Sequence, residues 1–324
     1  MPIAYPASMD GGSPIDPQLV AWTPGPSLEV APEVLALRAL VESIARHLLG
    51  VRDDRLEARW PWPGGDEHVD VDVRSGFYFL YERLEATRAE ALRVSVTANI
   101  RRPAGARMGA ASTAARWSLH GLLLPLADAD LDRDPGGGEW PIRETLGHVL
   151  SSQRGYGRFT AWWLTQAPTP GAIVPAELRN MMPERSEEAA GSASDIRTRL
   201  DALLDLSMAR LGSLDDSELR MPARWSGGEV TVGFRIGRWA SHLREHTIQI
   251  EKTLAMLGRQ STEVERLVRL LFDGFGRLEE VVFGLDPDQV GRQHDAEASI
   301  ADAISGVTSE LTRIAPGIVA AARP

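Results

Sequence analysis

Two histidines four positions apart, His242 and His246, are the residues in this sequence best placed to do chemistry. They lie inside a long stretch of helical periodicity, and side chains at i and i+4 project from the same face of a helix about one turn apart. Neutral imidazole is a common metal ligand, so two of them at this spacing can bind one ion together. The spacing predicts a chelating pair; the alternative is that both histidines are exposed and idle.

A third histidine, His148, belongs to another predicted helix. The apolar positions of that helix recur at helical spacing: Ile142, Leu146, Val149 and Leu150. This stripe places His148 at the edge of the core rather than in water. Three neutral imidazoles on two facing helices hold a divalent ion and leave positions open for water or substrate. We therefore predict one metal site formed by His148, His242 and His246.

Three polar residues are spaced so that they point towards the predicted ion. Arg238 lies one helical turn before His242. Ser152 and Tyr156 lie one and two turns after His148. We interpret Arg238, Ser152 and Tyr156 as candidate substrate contacts, with a surface salt bridge or ordinary packing as the alternative for each.

The same histidine pair also fits a second motif. Residues 242–246 spell His-Leu-Arg-Glu-His, the inverted zinc-protease pattern, in which the glutamate is a general base. That site needs a downstream glutamate as third ligand, for which Glu297 and Glu310 are the candidates. Enzymes with this motif are large mixed α/β domains, and this sequence has almost no strand patterning. The three-histidine site is therefore favoured.

The elements that must position these residues are helices. Apolar residues recur three and four positions apart in several segments: about 34–50, 74–93, 108–126, 141–166, 195–211, 229–257, 263–283 and 297–314. Residues 68–73 alternate like a strand, but the stretch is short, and we interpret it as an extended entry to a helix. The pattern predicts an all-α fold.

A repeated loop motif connects the predicted helices. An aspartate is followed three residues later by a leucine at three places: Asp53, Asp128 and Asp216. A weaker copy, with a spacing of four, begins at Asp286. The first two copies agree further, because Trp-Pro follows each, at Trp60 and Trp140, with identical spacing to a histidine and an arginine. The repeating unit is interpreted as a helix hairpin.

A single hairpin cannot bury both faces of its helices, so two hairpins are expected to pair into a four-helix bundle. We predict an extended leader at 1–28, an N-terminal hairpin at 29–105, a metal-binding bundle at 106–260 and a C-terminal hairpin at 261–324. Whether the two outer hairpins form a second, metal-free bundle with each other or pack separately is left open by the sequence.

Composition excludes several classes of function. Acidic residues outnumber basic ones by 45 to 35, so the surface repels phosphate backbones and nucleic acid is not an expected partner. The absence of cysteine excludes disulfides, thiolate zinc sites, iron–sulfur clusters and a cysteine nucleophile. No apolar run approaches the ~18 residues that cross a bilayer, and the N-terminus lacks the pattern of a signal peptide. We expect no membrane partner and a cytoplasmic location.

The residues around the histidines resemble those of the DinB-like (YfiT-like) superfamily. The segment 138–142, Gly-Glu-Trp-Pro-Ile, precedes the helix of His148, and the helix of His242 and His246 runs on to Leu-Gly at 257–258. The resemblance covers about residues 106–260. It implies a four-helix bundle with a three-histidine metal site, usually assigned zinc, nickel or iron. By the resemblance, His148 takes the place of the lone histidine on the second helix, and His242 and His246 take the places of the pair on the last core helix.

The superfamily includes metal-dependent thiol transferases and mycothiol-dependent maleylpyruvate isomerases. The resemblance therefore implies a metal-dependent enzyme with one divalent ion and, in the leading version, a low-molecular-weight thiol that attacks a small electrophile. A metal-dependent hydrolase and a noncatalytic metal or small-ligand binding module are the alternatives. Only Glu144 and Glu245 lie near enough in sequence to be a hydrolase's base, which favours the thiol version. We expect a small-molecule substrate and leave a homodimer open.

Overall fold

The computed structural model describes residues 19, 22–23, 27–61, 71–166, 172–286, 290–291 and 299–323. Helices dominate this part of the chain, so the predicted all-α fold is confirmed. The predicted leader, residues 1–28, falls mostly outside the described residues. Among the described residues, no helix combines the length and the apolar character needed to span a membrane.

The elements follow one another along the chain with short connections. The helices are α1 (Pro32–Leu48), α2 (Val73–Thr97), α3 (Ala104–Gly109), α4 (Ala111–Leu123), α5 (Asp128–Leu131), α6 (Ile142–Leu164), α7 (Ala176–Asn180), α8 (Arg185–Glu188), α9 (Ala193–Leu211), α10 (Asp216–Leu219), α11 (Val232–Met256), α12 (Glu263–Val282) and α13 (Ile300–Ala321). The strands are β1 (Arg59–Trp60), β2 (Val71–Asp72), β3 (Pro222–Trp225) and β4 (Gly228–Thr231), and a 3-10 turn covers Asp53–Arg55.

Several helices begin at a side chain that caps the free backbone N–H groups of the first turn. Ser192, Thr262 and Ser299 precede α9, α12 and α13, and each accepts a hydrogen bond from the backbone three residues later. In each case an acidic residue at that third position accepts a hydrogen bond from the N–H of the capping residue. The local sequence therefore sets where these helices start.

Two small antiparallel hairpins were not predicted from the sequence. In the second, β3 pairs with β4 around a two-residue turn in which Ser226 and Gly227 have φ values of 46° and 88°. Two positive φ angles are typical of a type I′ turn, whose twist matches that of paired strands. Residues 229–231 are therefore strand, and α11 begins only at Val232.

The first hairpin corrects the repeat as the sequence presented it. Trp60 lies in β1 and pairs with Val71 in β2, and α2 starts after this hairpin, at Val73. After Trp140, by contrast, α6 starts almost at once, at Ile142. The two Trp-Pro pairs are followed by a histidine and an arginine at equal spacing, but the structures after them differ. The strand-like alternation predicted near residue 71 does form a short strand, β2.

The chain forms two compact units. Unit 1 contains Arg102–Arg116, Leu126–Arg259 and the described residues up to Glu29, and unit 2 contains the described residues of Val30–Arg101, Trp117–Pro125 and Gln260–Pro324. The two outer hairpins thus belong to the same unit, unit 2. The sequence had left open whether they pair with each other or pack separately.

Unit 2 is a four-helix bundle made of α1, α2, α12 and α13. Each of α1 and α2 packs against both α12 and α13. The core is apolar, and its largest buried side chains include Leu37, Leu80, Phe272 and Phe275. It also buries one carboxylate, Glu279, which accepts hydrogen bonds from the Trp117 indole at 2.6 Å and from Arg38 at 2.5 Å. These bonds offset the cost of burying that charge.

Unit 1 is a second bundle, in which α6 packs against α9 and α11, and α3 packs against the same two helices. Both α6 and α11 bury an apolar face, with Leu146 and Val149 on one and Trp239 and Leu243 on the other. Burial of these faces holds the two helices side by side. It therefore sets the distance between the histidines that they carry.

Candidate metal centre

The three histidines lie where α6 and α11 meet. His242 is 5% exposed, whereas His148 and His246 are partly exposed. The helical register explains the difference, because Leu243, one residue after His242, is fully buried and Glu245, one residue before His246, is exposed. The cluster therefore lies at the edge of the core, where solvent reaches one side of it.

The Nε2 atoms of the histidines converge. His242 Nε2 lies 3.2 Å from His148 Nε2 and 3.0 Å from His246 Nε2. One ligand atom from each residue fits within 4.8 Å of the other two. Nitrogens about 2.1 Å from one ion, at angles of about 90–110°, lie about 3.0–3.4 Å apart. The donor set thus fits one face of the coordination sphere of a divalent ion.

His246 is oriented by a neighbour on its own helix. Its Nδ1 donates to the side-chain oxygen of Gln249 at 2.8 Å. Because Nδ1 carries the proton in this bond, Nε2 is left with a free lone pair directed at the other two histidines. Hydrogen bonds of this kind fix the tautomer and the ring direction of metal-binding histidines.

His148 is held differently. Its Nδ1 is buried and has no hydrogen-bond partner within the described part of the chain. The ring instead lies beside the indole of Trp140, with the ring centres 5.6 Å apart, and the guanidinium of Arg185 lies over the same indole. Packing rather than a hydrogen bond therefore orients this imidazole.

All three imidazoles are neutral near pH 7. Burial, with a smaller contribution from the neighbouring imidazoles, lowers the pKa of His148 to about 4 and that of His242 to about 3. Burial also lowers the pKa of His246, against the opposing effect of the Gln249 hydrogen bond. Neutral imidazole is the form that donates a lone pair to a metal. The fold thus keeps the three histidines in the ligand form.

Two of the three candidate substrate contacts lie beside the histidines. The Tyr156 ring is 4% exposed and meets the His242 ring edge-on, with the ring centres 5.4 Å apart. The Trp225 ring lies 5.3 Å from the Tyr156 ring, and the Arg235 guanidinium lies over the Tyr156 ring. Arg238 lies over the Trp225 indole. Arg238 donates to both carboxylate oxygens of Glu245, at 2.9 and 2.5 Å.

The third candidate, Ser152, lies on α6 and is partly exposed. Its hydroxyl forms no hydrogen bond with any other described residue. The structure therefore brings Tyr156 and Arg238 together around Trp225 and leaves the hydroxyl of Ser152 available.

Comparison with protein families matches residues 111–250 to the DinB superfamily. These residues form a DinB-superfamily domain. The match contains all three histidines and ends within α11, just after Gln249. No curated protein and no solved structure shows a significant match to the chain.

Sequence reasoning missed three residues of the DinB domain that shape this site. Gln249 was visible as a polar residue three positions after His246. Trp225 was not, because its place depends on the β3–β4 hairpin, whose only local signal is the Ser-Gly turn that follows it. Arg235, 4% exposed, donates to Thr160 on α6 and to the backbone oxygen of Arg224 on β3. Arg235 thereby fastens the hairpin to the helix of His148.

The inverted zinc-protease motif finds no third ligand in the described residues. Glu245 is exposed and held by Arg238, and Glu310 pairs with Arg83 in unit 2. Glu297 lies outside the described residues. The group of convergent ligand atoms in the described chain consists of imidazoles only, without a carboxylate.

Proposed function

We propose that the DinB domain binds one divalent metal ion through His148, His242 and His246 and uses it to catalyse a reaction of a small molecule. The observation that carries this proposal is the convergence of three neutral imidazoles, whose Nε2 atoms lie 3.0–3.2 Å apart around His242. Two of the three histidines are partly exposed, which favours an open position for a ligand over a closed structural site. Imidazole donors suit zinc, nickel and iron.

We infer that the nucleophile is a low-molecular-weight thiol. A bound divalent ion supplies Lewis acidity, which favours the thiolate form of a thiol beside it. The chain has no cysteine, so this thiol must come from solution. A hydrolase would instead need a general base beside the site. Glu245 is held by Arg238 and Glu144 is exposed, and neither belongs to the group of convergent ligand atoms.

The residues beside the histidines are suited to holding the electrophile. Burial raises the pKa of Tyr156 to about 12, so its hydroxyl stays protonated and is able to donate a hydrogen bond. This hydroxyl forms no hydrogen bond with the described residues and remains available to a substrate oxygen. The guanidinium of Arg238 lies over the Trp225 ring and adds positive charge near Tyr156. An electrophile with a carbonyl or another polarised oxygen fits these groups.

The test is an assay of the metal-loaded full chain with a model electrophile, with and without mycothiol, bacillithiol or glutathione. Thiol consumption that requires metal is expected, and His242→Ala should abolish it. The matched control is His47→Ala, because His47 is an exposed histidine of unit 2.

An ester and amide panel without thiol completes the experiment. Metal-dependent ester hydrolysis that is lost in Glu144→Gln would overturn the thiol version in favour of a hydrolase. Bound metal without turnover of either kind would favour the noncatalytic module.

A further inference from the structure

Unit 2 repeats the architecture of unit 1 with its two halves in the opposite order. The segment Asp53–Thr97 runs through a helical turn, a hairpin and a helix of 25 residues, α2. The segment Asp216–Met256 of unit 1 runs through the same three elements and ends in α11, also of 25 residues. In both segments the aspartate is followed three residues later by a leucine.

The backbone fixes how these segments correspond. The first N–H of α2, from Val73, donates to the carbonyl of Ala58 at 2.9 Å. The first N–H of α11, from Val232, donates to the carbonyl of Met221 at 3.0 Å. Val73 therefore corresponds to Val232, and every later position of α2 to the position of α11 that is 159 residues further on.

The other half corresponds as closely. The buried residues of α13 are Ile300, Ile304, Val307, Leu311, Ile314, Ala315 and Ile318. Subtracting 158 from each of these numbers gives a buried residue of α6. In the same order, these residues are Ile142, Leu146, Val149, Gln153, Tyr156, Gly157 and Thr160. All seven positions that α13 buries are thus buried in α6 as well, although α6 buries further residues beside them.

One pair of contacts checks both correspondences at once. In unit 1, Arg235 of α11 donates to Thr160 of α6 at 3.1 Å. The matching positions in unit 2 are Gly76 of α2 and Ile318 of α13, and a Cβ at Gly76 would lie 2.7 Å from Ile318 Cγ1. The same two positions therefore meet across the helix pair in each unit.

This correspondence places three residues of unit 2 where unit 1 has its histidines. His242 and His246 match Arg83 and Thr87 on α2, and His148 matches Gly306 on α13. Arg83, Thr87 and Gly306 line one cleft of about 520 Å³. Within it, the Arg83 Nε donates to Glu310 at 2.7 Å.

We propose that unit 2 is a copy of the metal-binding bundle that has lost its histidines, and that positions 83, 87 and 306 form a latent site for a divalent metal ion. In the natural chain an arginine–glutamate pair lies at this place, and none of the three side chains is an imidazole. Arg83 and Thr87 lie one turn apart on α2 and line the same cleft as Gly306 of α13, so imidazoles at these three positions would face one cleft. Restoring the imidazoles should therefore restore metal binding.

The test is the triple variant Arg83→His, Thr87→His and Gly306→His in the full chain. A Cβ at position 306 would meet no atom within 4 Å, so the new side chain has room. We expect bound nickel or zinc, measured by mass spectrometry and by calorimetric titration, to rise by one ion per chain over the parent. The same gain is expected when the parent carries His242→Ala, so the result does not depend on the proposed function of unit 1.

The matched control replaces Gly306→His by Ser305→His and keeps the other two substitutions. Ser305 precedes Gly306 and does not line the cleft, and one residue turns a helical side chain by about 100°. This variant should gain no tightly bound ion. A folded triple variant, with unchanged helical circular dichroism, that binds no more metal than its parent would overturn the proposal, as would equal gains in both variants.

A variant with two substitutions tests the proposal if the triple variant does not fold. Arg83→His with Gly306→His keeps Thr87 and supplies one ligand from each helix. It should bind nickel more tightly than Arg83→His with Ser305→His. Equal affinity of the two pairs would contradict the register on which the proposal rests.

Discussion

At the scale of single residues, the convergent ligand atoms in the described part of the DinB domain are all imidazole nitrogens, without a carboxylate. Its three histidines are kept neutral by burial, and a hydrogen bond to Gln249 fixes the tautomer of His246. Acidic side chains near the site are occupied or exposed, as the pair formed by Arg238 and Glu245 illustrates. The proposed metal chemistry therefore depends on neutral donors and on groups that enter from solution.

Metal content tests the site most directly. We expect one divalent ion per chain, and single replacement of His148, His242 or His246 by Ala should lower retained metal to near zero after dialysis, because two imidazoles hold an ion far less tightly than three. Elemental mass spectrometry gives the stoichiometry. His47→Ala should keep the full amount, and retention of the ion in His242→Ala would refute the site.

The orienting role of Gln249 can be measured separately. Gln249→Ala leaves three imidazoles but frees the ring of His246, so metal affinity should fall by about 10–100-fold. Competition with a chelator of known affinity measures this loss. Gln166→Ala is the matched control, because among the described residues the Gln166 side chain donates to Trp162 and Thr165, near the end of α6. Equal affinities for Gln249→Ala and the native chain would contradict the orienting role.

The lowered histidine pKa values predict how the metal-free protein responds to acid. A histidine whose pKa is lower in the folded than in the unfolded state binds fewer protons when folded, so stability rises with pH between the two values. For His148 this window runs from about 4 to its ordinary value of 6.5. The melting temperature should therefore fall as the pH drops from 6.5 towards 4.

Replacing the buried imidazole checks this origin of the acid sensitivity. A metal-free His242→Gln variant has one fewer group that protonates on unfolding, and its melting temperature should fall less over the same pH range. Differential scanning calorimetry on both proteins makes the comparison. Parallel curves for the two proteins would exclude His242 as a contributor.

At the scale of elements, the β3–β4 hairpin carries the indole that borders the site. Trp225 ends β3, and the turn after it needs positive φ at Ser226 and at Gly227. Arg235 connects β3 to α6 through the carbonyl of Arg224 and the hydroxyl of Thr160. The hairpin, and not the helices alone, thus forms the surroundings of the histidine cluster by placing Trp225 beside Tyr156.

The turn itself is open to a test of stability. Gly227 has φ of 88°, a conformation that costs an L-residue about 1–2 kcal/mol. Gly227→Ala should therefore lower the midpoint of urea unfolding followed by tryptophan fluorescence. Gly228→Ala is the control, because its φ is not in that region and a Cβ there would be at an ordinary 3.5 Å from the nearest atom. An equal loss in both variants would argue against the turn as the cause.

At the scale of the whole molecule, the chain consists of two bundles of related architecture, of which one carries three convergent histidines. The formal net charge is −10, and nearly all of the basic residues are arginines. Many of these arginines are engaged in ion pairs, such as Arg154 with the buried Glu188. The charge balance favours small-molecule partners over polyanions.

This balance predicts that the protein does not bind DNA. With acidic residues in excess, few phosphate counterions would be released, and that release supplies most non-specific affinity. Gel-shift titration of duplex DNA at physiological salt should show no complex at micromolar protein. A complex that weakens as salt is raised would prove the prediction wrong.

The sequence alone determined the helices and the histidine pair, because both depend on local geometry. Apolar spacing of three and four is set by the pitch of one helix, and the same pitch puts His242 and His246 on one face. The meeting of His148 with this pair depends instead on how α6 packs against α11, across 94 residues of chain. The family resemblance anticipated that meeting, but the apolar pattern of either helix does not specify its neighbour.

Tertiary structure also decided which repeats correspond. The Trp-Pro motifs aligned Trp60 with Trp140, yet Trp60 lies in a hairpin, and the helix after it matches α11 instead. β1 pairs with β2 through Arg59 with Asp72 and Trp60 with Val71. The free energy of such pairing comes from contacts between the two strands and their neighbours, and the local pattern of one strand does not determine it. Short motifs reflect local conformational preferences. The proposed correspondence of α2 with α11 and of α13 with α6 therefore depends on the packing of the helices.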